Sequence, residues 1–266
     1  MEEQNSRRDK LIILRNIQKS YSSREGPILA IEDVSFEVEE GDFVVIVGPS
    51  GCGKSTLLKI IAGLLDYDKG SIKLRGKEIS GPVRDIGMIF QEPALLRWKT
   101  VINNVLSPIE LMGMNKEEYR QKAEELLQLT NLAGFKNKYP SELSGGMQQR
   151  VSICRSLVYD PSLILMDEPF GALDAMTREK MNIELLDIWR ESRKTILFVT
   201  HSIPEAAFLA DRVVALSDRP ARINEEIAVD LDRPRKLTTK TENEYDEYTE
   251  RLYQLMRGEF ETEVAS

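Results

Sequence analysis

The chain has 266 residues, of which 41% are hydrophobic and 30% charged, a composition that is ordinary for a globular protein and excludes a disordered or fibrous one. Its 36 basic and 44 acidic residues give a net charge of −8, which argues against a protein that mainly grips duplex DNA. No run approaches the roughly 18 consecutive apolar residues that a membrane-spanning helix needs, so we expect no such helix.

The first part of the chain predicts strands that lead into a glycine-rich loop. Residues 1–10 are polar and lack the apolar core of a secretion signal, so the protein is expected to stay in the cytoplasm. Leu11–Leu14 and the partly alternating stretch 31–38 favour strands. Phe43–Val47 is a β-branched and aromatic run, typical of a strand buried on both faces, and a helical pattern over Lys54–Ala62 follows its loop.

The middle of the chain is mostly helical in pattern, and strands return after it. Strand patterns over 71–90 precede this helical stretch, which covers about 92–160. Leu163–Met166 and Ile196–Val199 then favour buried strands, each followed by a helix-like segment. Strands that alternate with helices predict a parallel sheet, so we expect an α/β fold into which the helical stretch is inserted.

The C-terminal tail, 238–266, is acidic and predicts a helix. Tyr248, Leu252 and Leu255 are expected to form one apolar stripe along it. We expect this helix to be solvated or loosely docked, and a regulatory contact is the alternative.

The segment Gly48–Ser55 matches G-x-x-x-x-G-K-[ST], the pattern of a loop that binds nucleotide phosphates. Its glycines let backbone N–H groups turn toward phosphate oxygens, Lys54 supplies a cation for the β- and γ-phosphates, and Ser55 offers a hydroxyl to Mg²⁺. Cys52 and the distant Cys154 are expected to be free thiols. The residues assigned here to nucleotide binding are Gly48, Pro49, Ser50, Gly51, Cys52, Gly53, Lys54, Ser55 and Thr56.

Asp167 and Glu168 stand at the end of the strand predicted over Leu163–Met166. If that strand neighbours Phe43–Val47, both carboxylates lie beside the phosphate loop. Asp167 is then expected to hold Mg²⁺ through water, and Glu168 to orient and polarise the attacking water. Pro169 is expected to keep Glu168 in extended geometry. The alternative is a pair of exposed acids at a strand end.

A second glycine-containing segment, Leu143–Arg150, precedes a helix and has the sequence LSGGMQQR. Ser144 is a favourable N-cap, and Gly145 and Gly146 expose backbone N–H groups, so the segment predicts another anion site. With these motifs in this order, the chain over about 11–230 resembles the ATP-binding subunit of an ABC transporter. The resemblance implies that Ser144, Gly145 and Gly146 contact the γ-phosphate held by the opposite subunit of a head-to-tail dimer.

Four further positions match this family residue by residue. The resemblance implies that Tyr21 stacks on adenine, that Gln91 contacts Mg²⁺ and couples the site to the membrane partner, and that Asp174 links the two sites of the dimer. It also implies that His201, the only histidine, contacts the γ-phosphate and helps hold the attacking water. His201 is level with Asp167 if their strands are neighbours. The alternative for Tyr21 is a strand-edge tyrosine and that for Gln91 a polar loop residue. The alternative for His201 is a histidine with satisfied hydrogen bonds.

The resemblance implies a P-loop NTPase core with a mostly parallel sheet, N-terminal antiparallel strands and an inserted helical subdomain. The ABC ATPase domain is expected over 1–237, its helical subdomain over about 92–160, and the acidic helical tail over 238–266. ATP and Mg²⁺ are the implied cofactors, and Glu168 and His201 the implied catalytic residues. The implied metal ligands are Ser55, Gln91 and Asp167.

The implied function is Mg²⁺-dependent ATP hydrolysis that energises solute import. The implied partners are a second copy of the chain, transmembrane permease subunits and, indirectly, a solute-binding protein, with no nucleic acid, at the cytoplasmic face of the membrane. Phe90–Val101 is similar to the branch that imports nitrate, sulfonates, taurine and pyrimidine precursors, with Arg97 in place of the usual proline. In the LSGGMQQR segment Met147 stands where the commonest form of the family's segment has glutamine. The alternative is a soluble ABC ATPase that acts on nucleic acid or ribosomes.

Overall fold

The computed structural model describes residues 9–24 and 26–264, and side chains as far as Met256. The prediction that no secretion signal is present concerns 1–10 and so falls mostly outside the described residues. Within that described part, no helix is both long and apolar enough to cross a membrane.

Strands and α-helices alternate along the second half of the described chain. The strands are β1 (Lys10–Ser23), β2 (Gly26–Val34), β3 (Glu37–Glu39), β4 (Phe43–Val47), β5 (Lys69–Leu74), β6 (Lys77–Glu78), β7 (Ile86–Ile89), β8 (Leu163–Asp167), β9 (Thr195–Val199), β10 (Arg212–Leu216) and β11 (Ile223–Ala228). The α-helices are α1 (Lys54–Ile61), α2 (Val101–Val105), α3 (Ser107–Leu111), α4 (Lys116–Leu129), α5 (Gly145–Leu157), α6 (Ala175–Ser192), α7 (Ile203–Leu209) and α8 (Asn243–Val264).

These strands form two sheets. The larger sheet has the order β11-β10-β4-β9-β8-β7, in which β11 alone is antiparallel to its neighbour among the described strands. The smaller sheet has the order β2-β1-β5-β6, with β3 beside β1, and its pairings are antiparallel. The predicted α/β fold, with a mostly parallel sheet and N-terminal antiparallel strands, is confirmed.

The central strand β4 is buried on both faces, as its unbroken apolar run predicts. Phe43, Val45 and Val47 face a core shared with α5, α6 and α7. Val44 and Ile46 face a second core, shared with α1 and the smaller sheet. Because alternate side chains of a strand point to opposite faces, β4 is packed between two layers, and this gives the loop that follows it a rigid base.

Strand β9 lies between β4 and β8, so the condition under which Asp167 and Glu168 were placed beside the phosphate loop, that β8 neighbours β4, is not met. The sequences of β8 and β9 are both buried apolar runs, and such a run does not specify which strand it pairs with. The end of β8 still approaches the phosphate loop because α1, which begins where that loop ends, packs across the sheet onto β8. Strands β8 and β9 are neighbours, with Asp167 opposite Val199, so His201 stands level with the end of β8 as expected.

Helices α2 to α5 enclose a core of their own, made of apolar residues between 101 and 158. Helix α5 belongs to two cores, since Val151 lies in this one and Ile153 in the core of the larger sheet. The helical stretch is therefore attached to the sheet through α5, the helix that begins within the LSGGMQQR segment. The domain limits of 1–237 and 92–160 stay predictions.

Helix α8 is docked on the core, and the expectation of a solvated or loosely docked tail is wrong for its described side chains. Leu252 is 0% and Tyr245 6% exposed, and Tyr248 and Leu255 pack against the same core as α7. Tyr245 Oη donates a 3.1 Å hydrogen bond to the carbonyl of Pro204, at the start of α7. The stripe of apolar residues is present because a helix repeats every 3.6 residues, and what it packs against is decided by the tertiary fold.

Candidate active site

The phosphate loop connects β4 to α1 and is shaped by its glycines. Gly51 and Gly53 have φ angles of 80° and 122°, which residues with side chains rarely adopt. A Cβ at Gly53 would lie 3.2 Å from the carbonyl oxygen of Ala30, and one at Gly48 only 2.9 Å from Cys52 Sγ. The loop therefore needs glycine both for its turn and for its close packing.

Lys54 folds back over this loop. Its side chain is 5% exposed, and its Nζ donates to the carbonyl oxygens of Gly48 at 2.8 Å and Pro49 at 2.7 Å. Within the described residues no carboxylate forms an ion pair with it. A cation held by neutral carbonyls keeps its charge available for an anion, which is what a phosphate-binding lysine requires.

The other residues assigned to this loop differ in what they can offer a ligand. Ser50 is exposed, whereas Cys52 is 0% exposed and packs in the core beneath the loop, so Cys52 can offer only its backbone N–H. Thr56 Oγ1 lies 3.2 Å from Tyr21 Oη. Tyr21 is 41% exposed, so its ring is accessible beside the start of α1. Both cysteines are buried and neither forms a disulfide, as expected.

Ser55 and Asp167 meet at the end of β8. Ser55 Oγ donates to Asp167 Oδ1 at 2.7 Å. Burial raises the pKa of the Asp167 carboxyl above its ordinary 3.8, and the hydrogen bond from Ser55 acts against that rise. Hydroxyl and carboxylate oxygens are the hard ligands that Mg²⁺ prefers. No group of three or more His, Cys, Asp or Glu gathers as a metal site in the described chain, so this pair fits a cation that takes its other ligands from phosphates and water.

Glu168 and His201 form a second pair beside the first. Glu168 Oε2 and His201 Nδ1 are 2.9 Å apart, and the two side chains are 23% and 53% exposed. Asp167 and Glu168 therefore have different partners, as the alternation of side chains along a strand predicts. The two side chains are exposed enough to contact a ligand, and the 2.9 Å contact orients the imidazole ring.

The backbone of Glu168 is left-handed, with a φ of 45°, so the expectation that Pro169 keeps it extended is wrong. Its N–H donates to the carbonyl of Val199 and its carbonyl accepts from the N–H of Gly171, both at 3.0 Å. These two hydrogen bonds hold the turn in place against the local steric preference. Strained backbone of this kind is concentrated at functional sites.

Gln91 lies beside the loop formed by Gly171, Ala172, Leu173 and Asp174, which we call the 171–174 loop. A Cβ at Gly171 would lie 3.1 Å from Gln91 Nε2 and 3.6 Å from Glu168 Oε2. Since Gln91 follows β7 and Glu168 follows β8, neighbouring parallel strands deliver both to the same edge of the sheet. The structure thus places Gln91 with the two acid-containing pairs.

Gly145 and Gly146 pack against the 171–174 loop and the start of α6 in their own chain. Among the described residues within 4 Å, a Cβ at Gly145 would meet only Leu173, at 3.6 Å, and one at Gly146 only Thr177, at 3.1 Å. No phosphate-loop atom of the described chain lies within 4 Å of a Cβ built at either glycine.

Ser144 and Asp174 each cap a helix. Ser144 Oγ accepts from the N–H of Met147 at 3.4 Å, and Asp174 Oδ1 accepts from the N–H of Thr177 at 3.0 Å. Hydrogen bonds from Thr177 hold the pKa of the Asp174 carboxyl below its ordinary value. Both residues are exposed. Their contact with a second chain stays a prediction.

Sequence reasoning missed four polar residues behind this site, namely Arg178, Asn182, Thr200 and Glu205. Asn182 and Thr200 are 2% and Glu205 6% exposed. One signal was available, because Ser202 and Glu205 have the spacing of a capping box, in which the glutamate turns back to the backbone of the serine. In the structure Glu205 accepts a hydrogen bond from Thr200 Oγ1 instead, at 2.6 Å.

Known proteins are similar to this chain in sequence and in fold. Residues 31–171 match the family model described as ABC transporter. The chain is 43% identical to the aliphatic sulfonates import ATP-binding protein SsuB of Bacillus thuringiensis, over 86% of this chain and 90% of that protein. It is 41% identical to the nitrate import ATP-binding protein NrtD of Synechocystis, over 92% and 94%. A solved dimer of an ATP-binding cassette in a post-hydrolysis state, bound to ADP and Pi, matches with a TM-score of 0.70 and 34% identity, over 82% of this chain and 99% of that one.

Proposed function

This chain belongs to the ABC transporter family of ATP-binding subunits, and we propose that it hydrolyses ATP as a head-to-tail dimer that energises solute import through separate transmembrane permease subunits. The solute is nitrate, a sulfonate, taurine or a related small molecule, since relatives named for sulfonate and nitrate import match most of the chain. A solute-binding protein is the indirect partner, and the subunit acts at the cytoplasmic face of the membrane.

The observation that carries this proposal is the convergence of two pairs at one edge of the sheet. Ser55 with Asp167 and Glu168 with His201 lie side by side, because Asp167 and Glu168 are consecutive residues. One pair suits a cation and the other suits the activation of water. Phosphoryl transfer to water needs both, together with a cradle for the phosphates.

Mg²⁺ would be held by Ser55 Oγ, by Gln91 and, through water, by Asp167. When bound, it neutralises the charge on the β- and γ-phosphates. Lys54 and the backbone N–H groups of the phosphate loop bind the same phosphates, and the exposed Tyr21 ring stacks on the base. These assignments rest on the fit of the residue types, the accessible ring and the 2.7 Å contact between Ser55 and Asp167.

Glu168 accepts a hydrogen bond from the attacking water and orients it toward the γ-phosphate. His201 is held at Nδ1 by Glu168, which leaves Nε2 to face the γ-phosphate. Ser144, Gly145 and Gly146 bind the γ-phosphate held by the partner subunit. This assignment is supported by the position of the two glycines, which lie next to the 171–174 loop and the start of α6 of their own chain. Asp174 follows Leu173, the neighbour of Gly145, and contacts the partner's site.

The catalytic role of Glu168 is tested with Glu168→Gln in the full chain. We expect the kcat for ATP hydrolysis to fall at least about a hundredfold while ATP still binds, because the amide keeps the shape of the side chain but polarises water poorly. The unhydrolysed ATP should then hold the chain as a dimer on size-exclusion chromatography. Glu179→Gln is the matched control, since Glu179 pairs with Lys240 on the surface. Unchanged turnover in Glu168→Gln would refute the role.

A further inference from the structure

A buried polar cluster lies behind His201 and has no part in the function proposed above. Glu205, Asn182 and Thr200 are its buried members, at 6%, 2% and 2% exposed, and Arg178 reaches it from α6. Buried charged and polar groups are expensive unless they are paired, so each requires a reason.

One end of the cluster holds the residue before the histidine. Thr200 Oγ1 donates to Glu205 Oε2 at 2.6 Å and accepts from the N–H of Ser202 at 3.0 Å. These contacts fix the backbone on both sides of His201. Glu205 sits on α7, so it sets the position of His201 from a rigid element.

The other end holds the 171–174 loop. Arg178 Nη2 donates to the carbonyl of Leu173 at 3.0 Å and lies 3.5 Å from that of Gly171. The N–H of Gly171 in turn donates to the carbonyl of Glu168 at 3.0 Å, and a Cβ at Gly171 would lie 3.1 Å from Gln91 Nε2. The position of the Arg178 side chain therefore depends on the position of this loop.

The contact between the two ends is incomplete. Arg178 Nε and Glu205 Oε1 are 4.0 Å apart, and both atoms, like Asn182 Oδ1, are buried without a hydrogen-bond partner among the described residues. A movement of about 1 Å would bring the charged pair into hydrogen-bond range. Since leaving buried polar atoms unpaired costs free energy, closing this contact would stabilise the cluster.

We propose that Arg178 and Glu205 are positioning residues that couple the 171–174 loop to His201. A shift of the loop closes the hydrogen bond between Arg178 and Glu205, and Glu205 then moves Thr200 and with it the imidazole ring. The proposal rests on the proposed function, in which the 171–174 loop faces the partner subunit. This coupling would make the orientation of His201 depend on the binding of the second chain.

The kinetic test compares Arg178→Met, Glu205→Gln and the double variant. Each single variant should lower kcat about tenfold or more and leave the KM for ATP within about twofold, because the ring is misplaced and the nucleotide contacts are intact. The double variant should be no slower than either single variant. Asp85→Asn is the matched control, since Asp85 also accepts from a hydroxyl, that of Ser162 at 2.6 Å, but at the opposite edge of the sheet. Single variants with wild-type kcat, or effects that multiply, overturn the proposal.

A second readout does not depend on hydrolysis. His201 is the only histidine, so a tag-free protein shows a single imidazole Hε1 signal in its NMR spectrum. Arg178→Met should shift this signal in the wild-type background but not in Glu205→Gln, and Asp85→Asn should leave it in place. A signal that ignores Arg178→Met, or moves equally in both backgrounds, overturns the coupling. A wild-type protein that fails to hydrolyse ATP would instead refute the proposed function.

Folding defects are separated from misplacement by measuring the unfolding midpoint of every variant. If Arg178→Met does not fold, Arg178→Lys takes its place. Lysine keeps the charge but lacks the forked donors that reach Leu173 and Glu205 together, so the same loss of kcat is expected. Full kcat in Arg178→Lys would contradict the proposal.

Discussion

Ser55 Oγ and Asp167 Oδ1 lie 2.7 Å apart although 112 residues separate them along the chain. Their strands are not neighbours, because β9 lies between β4 and β8. Helix α1 closes this gap by running from the phosphate loop across the sheet to β8. The proposed cation site is therefore a product of helix packing and not of adjacent strands.

Asp167→Asn should raise the Mg²⁺ concentration that half-saturates ATP hydrolysis by about ten- to a hundredfold. The amide can still accept a hydrogen bond from Ser55, so the local shape is kept while the negative charge is lost. The ATPase rate measured against MgCl₂ concentration gives this value. Asp187→Asn, which removes an exposed carboxylate paired with Arg190, is the control. Equal Mg²⁺ dependence in both variants would contradict the assignment.

A mixture of two inactive proteins, Lys54→Ala and Ser144→Arg, should regain hydrolysis. In a head-to-tail dimer one site of each mixed pair carries both lesions and the other carries none. Because about half of the dimers are mixed and each keeps one of two sites, the rate should reach at most about a quarter of the wild-type rate. The measurement is the ATPase rate of an equimolar mixture against each variant alone. Sites built within single chains would leave the mixture inactive.

The stability of Glu205→Gln relative to the wild type should increase as the pH rises. Burial raises the pKa of the Glu205 carboxyl above its ordinary 4.5, and the hydrogen bond from Thr200 and the charge of Arg178 act against that rise. The folded protein then holds this proton more firmly than the unfolded chain, so the wild type loses stability as the pH rises from about 4.5 through the raised pKa. Glutamine does not titrate. Urea unfolding of both proteins from about pH 4.5 to 8 gives the difference, and a difference that stays constant would contradict the raised pKa.

Leu252→Ala should lower the free energy of unfolding by about 2–5 kcal/mol, because it empties a site in the core under α8. Leu252 is 0% exposed, whereas the next residue, Tyr253, is 47% exposed. Tyr253→Ala is therefore the matched control and should change the free energy of unfolding by less than about 0.5 kcal/mol. Denaturant unfolding measures both. Similar small effects would mean that the tail is loosely held after all.

The nucleotide motifs could be recognised from the sequence because each is a contiguous run whose function depends on local backbone. The turn at Gly51 and Gly53 requires glycine wherever the loop lies, and the N-cap of Ser144 depends only on the helix that follows it. The strands were recognised for a similar reason. A run such as Phe43–Val47 is buried on both faces whichever neighbours it has.

The tertiary structure alone decided which of these pieces meet. The place of β9 between β4 and β8 and the docking of α8 through Leu252 depend on contacts between distant segments. The left-handed backbone of Glu168 depends on hydrogen bonds to Val199 and Gly171 that overcome the local preference set by Pro169. Arg178 and Glu205 look like ordinary surface charges in a helical pattern, and only packing buries Glu205 next to the half-buried Arg178. Local sequence sets the conformational preferences of each segment, but the burial and pairing of polar groups is a property of the whole fold.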